Sequence, residues 1–150
     1  MNNAIAPILE ARKGGVWYLP THVEVRSVQS AAKKADYAFF HIDGRTIERK
    51  EQLMNHVATS LRLPKTFGHN WDALEECLIE MDEGDHDGFV IYYDHIDGLL
   101  AAHPDQFETL VEILRDAVSS WKEDDTPMVV LLSGAKAPKG VAKLKGAQAD

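Results

Sequence analysis

Seven histidines and 24 acidic residues give this 150-residue chain many pairs that could pass a proton. His69, His86, His95 and His103 each lie near an Asp or Glu in sequence, as general acid–base catalysis requires. None has a Ser or Cys at nucleophile spacing, and the single cysteine, Cys77, falls beside an apolar helical stripe. An enzyme built on His69 with Asp72 or Glu75 would therefore work without a nucleophile or a metal set, and binding is favoured over catalysis. One cysteine also excludes an intrachain disulfide and a multi-cysteine zinc cluster. Residues 83–94 partly imitate a calcium loop, with Glu83, Asp85, Asp87 and Asp94 at ligand spacing. Its first ligand would be Glu instead of Asp, however, and the FVIYY run before Asp94 has the composition of a buried strand. The segment reads as a solvated acidic turn. No GxGxxG or P-loop pattern occurs, so no metal and no cofactor is expected.

Acids spaced one helical turn apart are harder to assign to chance. Asp72, Glu76 and Glu80 recur at i, i+4 and i+8, with Glu75 and Glu83 beside them. They lie opposite an apolar stripe of Trp71, Leu74, Leu78 and Met81. Like charges at this spacing cost a helix roughly 0.2–0.5 kcal/mol per pair. No Lys or Arg lies between Lys65 and Arg115 to offset them. A solvated face is the plain reading; a face that tolerates such repulsion points instead to a cationic partner that relieves it. Glu108, Glu112 and Asp116 repeat the pattern on a second helix.

The charge of the whole chain is as uneven as this spacing suggests. The net charge is −8, yet residues 72–125 alone hold 17 acids against two bases, Arg115 and Lys122, a local −15. Net negative charge argues against nucleic acid or an anionic membrane as a partner. No window approaches the apolar length of a membrane helix. The N-terminal MNNAIAPILEARKGG lacks the apolar stretch of a secretory signal, so a cytoplasmic, monomeric protein is expected.

The elements that must hold these residues follow a βα alternation. Residues 16–19 read as an edge strand ending at Pro20. Thr21 and Glu24 form a capping-box pattern that opens a helix to about residue 35. Residues 37–42 (YAFFHI) form a strand closed by Asp43-Gly44, and a helix follows from about 50 to 61, stopped by Pro64. Asn70 caps the acidic helix, which runs to about Asp82. Residues 89–93 are a buried strand, Pro104 opens a long helix, and residues 127–132 are the last strand. Three or four short strands separated by helices imply an α/β fold with a small, mostly parallel sheet packed with helices.

Residues 63–78, LPKTFGHNWDALEECL, resemble the LP-x-x-[YF]-G-x-N-x-DAL-x-[DE]-C-L signature of the barstar family of ribonuclease inhibitors. Residues 39–44, 89–93, 113–117 and 129–133 are similar to other parts of that family. The resemblance implies a three-layer α/β domain over residues 1–133, with 37–133 as the family core and 1–36 as an N-terminal addition. Residues 134–150, rich in Gly, Ala and Lys, read as a flexible tail. The implied activity is non-catalytic. A helix and the loop before it block the active site of a small basic ribonuclease, with carboxylates in place of RNA phosphate. By the same resemblance Asp72 and Glu76 are the main inhibitory acids, Asp116 adds a third, and Thr66, Phe67, Gly68, Asn70 and Trp71 form the loop and its border. Glu75 joins this set, standing where the family has a tryptophan, and Thr66 stands where it has an aromatic. Glu76 is one methylene longer and Asp116 one shorter than their counterparts, changes of reach that suit a different nuclease. The alternative is an immunity or regulatory module on the same fold that binds another toxin or protein.

Overall fold

The computed structural model describes residues 4–20, 22–82 and 84–144. Four strands, β1 (Gly15–Leu19), β2 (Tyr37–Asp43), β3 (Gly88–Asp94) and β4 (Met128–Ser133), form one parallel sheet in the order β1-β4-β3-β2. Six α-helices surround it: α1 (Ile5–Glu10), α2 (Val25–Lys34), α3 (Lys50–Ser60), α4 (Trp71–Ile79), α5 (Asp97–Ala102) and α6 (Pro104–Glu123). None of the described helices is long and apolar enough to cross a membrane.

The two central strands, β3 and β4, are buried along their whole lengths, which explains their unbroken apolar sequences. Their side chains alternate between two cores. Phe89, Ile91, Tyr93, Met128, Val130 and Leu132 face a cluster built with Leu53 and Val57 of α3, Leu74 and Leu78 of α4, and Leu110 and Leu114 of α6. Val90, Tyr92, Val129 and Leu131 face the opposite cluster, with Ile5 and Leu9 of α1 and Val28 and Ala32 of α2. Helices thus cover both faces of the sheet, giving the three-layer α/β fold. Apolar burial on two sides, at roughly 25 cal/mol per Å², is what holds such short strands together.

Several boundaries differ from those the sequence suggests. The helix expected from Thr21 begins at Val25 with Glu24 as its N-cap, and Thr21 lies outside the described residues. Its late start has a cause. The Tyr92 hydroxyl donates to the Val23 carbonyl at 2.6 Å and accepts from the Val23 N–H at 3.2 Å, holding that segment extended. The acidic helix α4 ends at Ile79, so Glu80 is its C-cap, and Glu83 lies outside the described residues. The expected flexible tail is corrected as far as Leu144. Val141 and Leu144 are buried, and the Leu144 N–H donates to the Tyr18 carbonyl at 2.9 Å. Two apolar side chains and an open backbone edge at β1 are enough to dock the segment. Residues 145–150 lie outside the described residues.

Candidate functional site

The loop before α4 is built from below. Phe67 is 6% exposed and packs in the main core, and its N–H donates to the Pro64 carbonyl at 2.9 Å. His69 takes a left-handed backbone, φ 54°, and its Nδ1 donates to the Phe67 carbonyl at 3.0 Å. The Asn70 side chain then accepts from the Ala73 N–H at 2.8 Å and donates to the Gly68 carbonyl at 3.3 Å. One amide thus caps the helix and ties it to the loop, fixing the angle at which α4 leaves. Asp72 sits in the first turn, where the exposed N–H groups favour a negative charge.

α4 is fixed on its other side as well. Leu74 and Leu78 are each 1% exposed, and the Trp121 indole N–H of α6 donates to the Leu78 carbonyl at 2.8 Å. Trp71 is half-buried against the core, with the Lys50 ammonium 5.7 Å from its ring centre. These contacts hold the outer face of α4 rigid.

That face carries Asp72 and Glu76, both exposed, and Glu75, half-buried. α6 brings the exposed Asp116 against Glu75. Burial pushes the Glu75 carboxyl up from its ordinary value, a hydrogen bond with Asp116 pushes it further, and the charges of Asp116 and Asp72 act the same way. The two carboxyl groups therefore lie close together, and two helices converge on one acidic point. Among the described residues, no ion pair involves Asp72, Glu75, Glu76 or Asp116. The far end of α6 differs, because Lys139 approaches Glu108 to 4.0 Å.

Of the nine residues singled out from the sequence, Thr66, Gly68, Asn70, Asp72, Glu76 and Asp116 are exposed, and Trp71 and Glu75 are half-buried. Phe67 is the exception. Expected to line the loop toward a partner, its ring is a core side chain and supports that loop from beneath. His69 bonds a backbone carbonyl and forms no ion pair with Asp72 or Glu75. The Cys77 thiol is pushed up by burial and by the charges of Glu80 and Glu76, which keeps the reactive thiolate scarce. Gly88–Asp94 is a buried strand, and the Asp94 carboxylate is engaged by His22 and His41. That last grouping was not visible in sequence, because only the parallel register of β2 on β3 brings residues 41 and 94 together.

A family model described as Barstar (barnase inhibitor) matches residues 37–133. The chain belongs to the barstar family. The match runs from the start of β2 to the end of β4, and so contains α4, α6 and the acidic face between them. β1, α1 and α2 precede this barstar segment and complete the sheet and its second helical layer. Comparison with curated proteins gave no match. Among solved structures, the chain is similar to one from "Structure of Drosophila ORC bound to DNA", at 13% identity and a TM-score of 0.44, over 97% of this chain and 82% of that one. A chain from "Structure of Drosophila ORC bound to AT-rich DNA and Cdc6" gives 12% identity and a TM-score of 0.44, over 93% and 44% of the two chains. At these scores the likeness carries no argument about what the barstar-family chain does.

Proposed function

We propose that this protein is a non-catalytic inhibitor of a small basic ribonuclease, whose active site it fills with α4 and the loop before it. The observation that carries this reading is the convergence of Asp72, Glu75 and Asp116, with Glu76 exposed on the same helix and no ion pair to any of the four among the described residues. A nuclease cleft that binds RNA must present Arg, Lys or His to phosphate, and a preformed set of carboxylates meets the same cations. Preformed charge avoids the cost of ordering flexible side chains on binding. Membership of the barstar family supports the same class of partner. Thr66 and Glu75 make the surface more polar than the family signature and favour a nuclease with a correspondingly basic cleft.

The test is inhibition and titration against small guanyl-specific microbial ribonucleases, with alanine variants of Asp72, Glu76, Asp116 and Glu108. Asp72→Ala and Glu76→Ala point away from the core and should keep the fold. Each should weaken inhibition by about 2–5 kcal/mol, the cost of leaving a buried cation without its counter-charge. Glu108→Ala, whose acid already has Lys139 nearby, should cost under about 1 kcal/mol. Asp116→Ala should fall between. Equal losses in all four variants would mean diffuse charge attraction and would overturn the active-site plug. If no basic ribonuclease is retained on the immobilised chain while another basic protein is, the alternative toxin-binding module replaces this reading.

A further inference from the structure

Asp94, the last residue of β3, is 3% exposed, and Ser133 is the other buried polar residue among those described. A carboxylate taken out of water needs a compensating cation or a full set of donors. No Lys or Arg of the described residues pairs with it; three imidazoles do. His22 Nε2 lies 3.1 Å from Oδ2, His95 Nε2 lies 3.7 Å from the same oxygen, and His41 Nε2 lies 2.9 Å from Oδ1. The His22 and His95 rings stack with centres 4.8 Å apart, and the ligand atoms of His22, Asp94 and His95 all fall within 4.8 Å of one another.

We propose that His22, Asp94 and His95 bind a divalent transition-metal ion of the Zn²⁺ type, with His41 as the positioning residue for the carboxylate. Zinc bonds of about 2.0–2.2 Å to nitrogen and oxygen place tetrahedral ligands roughly 3.4 Å apart. The two distances to Asp94 Oδ2 bracket that value. Both histidines are about half open to solvent, with side-chain exposures of 44% and 40%, so they can close on an ion by rotation. His41 occupies the second carboxylate oxygen, the kind of outer hydrogen bond that orients a ligating group. Two imidazoles and one carboxylate leave a fourth position, and a cleft of about 360 Å³ lined by Pro20, His22, His95 and Asp97 opens there.

The fold holds these groups in place from several directions. His22 precedes Val23, which the Tyr92 hydroxyl clamps by its N–H and its carbonyl. His95 has φ 53°, in the left-handed region, and the next N–H, of Ile96, donates to the Ser133 carbonyl at 3.0 Å. Gly44 lets β2 approach this corner, because a Cβ there would lie 2.4 Å from the Asp94 and His95 carbonyl oxygens. All four groups sit at the C-terminal ends of parallel strands or just beyond them, where α/β sheets commonly bind ligands. An ion here would tie His22, outside the matched barstar segment, to His41, Asp94 and His95 within it.

The experiment is calorimetric titration of the full chain with Zn²⁺, and with Co²⁺ followed by visible absorption. The expected result is one equivalent bound, with the intense ligand-field band of a tetrahedral site and a rise in thermal midpoint. His22→Ala at an exposed position and His95→Ala at a half-buried one, both checked for fold by circular dichroism, should abolish the band. His41→Ala should keep the stoichiometry and weaken affinity about 10–100-fold. His86→Ala, distant from these ligands, should leave metal binding unchanged. Absence of saturable one-to-one binding by the unaltered chain overturns the site, whatever the variants do. So does binding that survives both His22→Ala and His95→Ala, which would place the ion elsewhere.

Discussion

Glu75 is the acid whose surroundings differ most from water on the α4 face, since burial, Asp116 and Asp72 all push its carboxyl up. A group whose pKa is raised by folding stabilises the fold while protonated. That contribution is complete below the unfolded value of about 4.5 and is lost as pH rises through the higher folded-state value. Glu75→Gln removes the charge but keeps the shape and a hydrogen-bonding group. The variant should therefore match the native chain near pH 4 in urea melts and exceed it near pH 7, by an amount that solvent screening keeps small. A stability difference that stays flat across that range would mean Glu75 and Asp116 do not meet. If the carboxylates serve a cationic partner, the gain in stability should come with weaker inhibition. Asp43 shows the opposite arrangement, because hydrogen bonds from Arg45 hold its carboxyl well below the usual range. Acids at this protein's surface are thus paired where a base is near, and those of α4 are left bare.

The link between α4 and α6 decides whether such acids can act together. Trp121 provides it through one hydrogen bond to a carbonyl in the last turn of α4, with its ring 4.9 Å from that of Phe89. Trp121→Phe keeps most of the apolar contact and strands the Leu78 carbonyl, which should cost about 1–3 kcal/mol in urea denaturation. A loss below about 0.5 kcal/mol would mean that water or a relaxed helix end satisfies that carbonyl. This contact also marks where sequence reading stops. The start of α4 was legible, because Pro64 ends one helix and Asn70 caps the next. Its end was not, since no Gly or Pro lies within four residues after Ile79, and Met81 stays buried after the helix has stopped. α1 and α5 hold six residues each and contain Pro7 and Gly98, too little periodicity to register. Nor could spacing place Asp116 beside Glu75 or gather three histidines round Asp94, because those neighbours depend on helix packing and strand register.

At the scale of the whole molecule, the −15 carried by residues 72–125 is set against net positive segments on either side in sequence. The fold does not erase this asymmetry. Segment 134–144 brings Lys139 to Glu108 and takes a hydrogen bond from Arg115 at the Gly140 carbonyl, so the ion pair recorded on α6 among the described residues lies in its N-terminal part. The faces of α4 and α6 that share Glu75 and Asp116 hold no ion pair to either acid among the described residues. Such a field extends about 10 Å at 0.1 M ionic strength and about 3 Å at 1 M. A partner with a basic cleft would therefore be drawn in and oriented before contact at low salt, raising association above the uncharged range of about 10⁵–10⁶ M⁻¹s⁻¹. Contacts formed after docking exclude water and are screened far less. Raising salt from about 0.1 to about 1 M should thus slow association with a basic ribonuclease by at least tenfold and change dissociation much less. Stopped-flow mixing and surface-immobilised dissociation measure the two rates separately. An association rate insensitive to salt would mean that the acidic segment does not steer docking, even if inhibition itself were strong. A dissociation rate that carried most of the salt effect would place the decisive charges at the exposed rim, away from the α4 face.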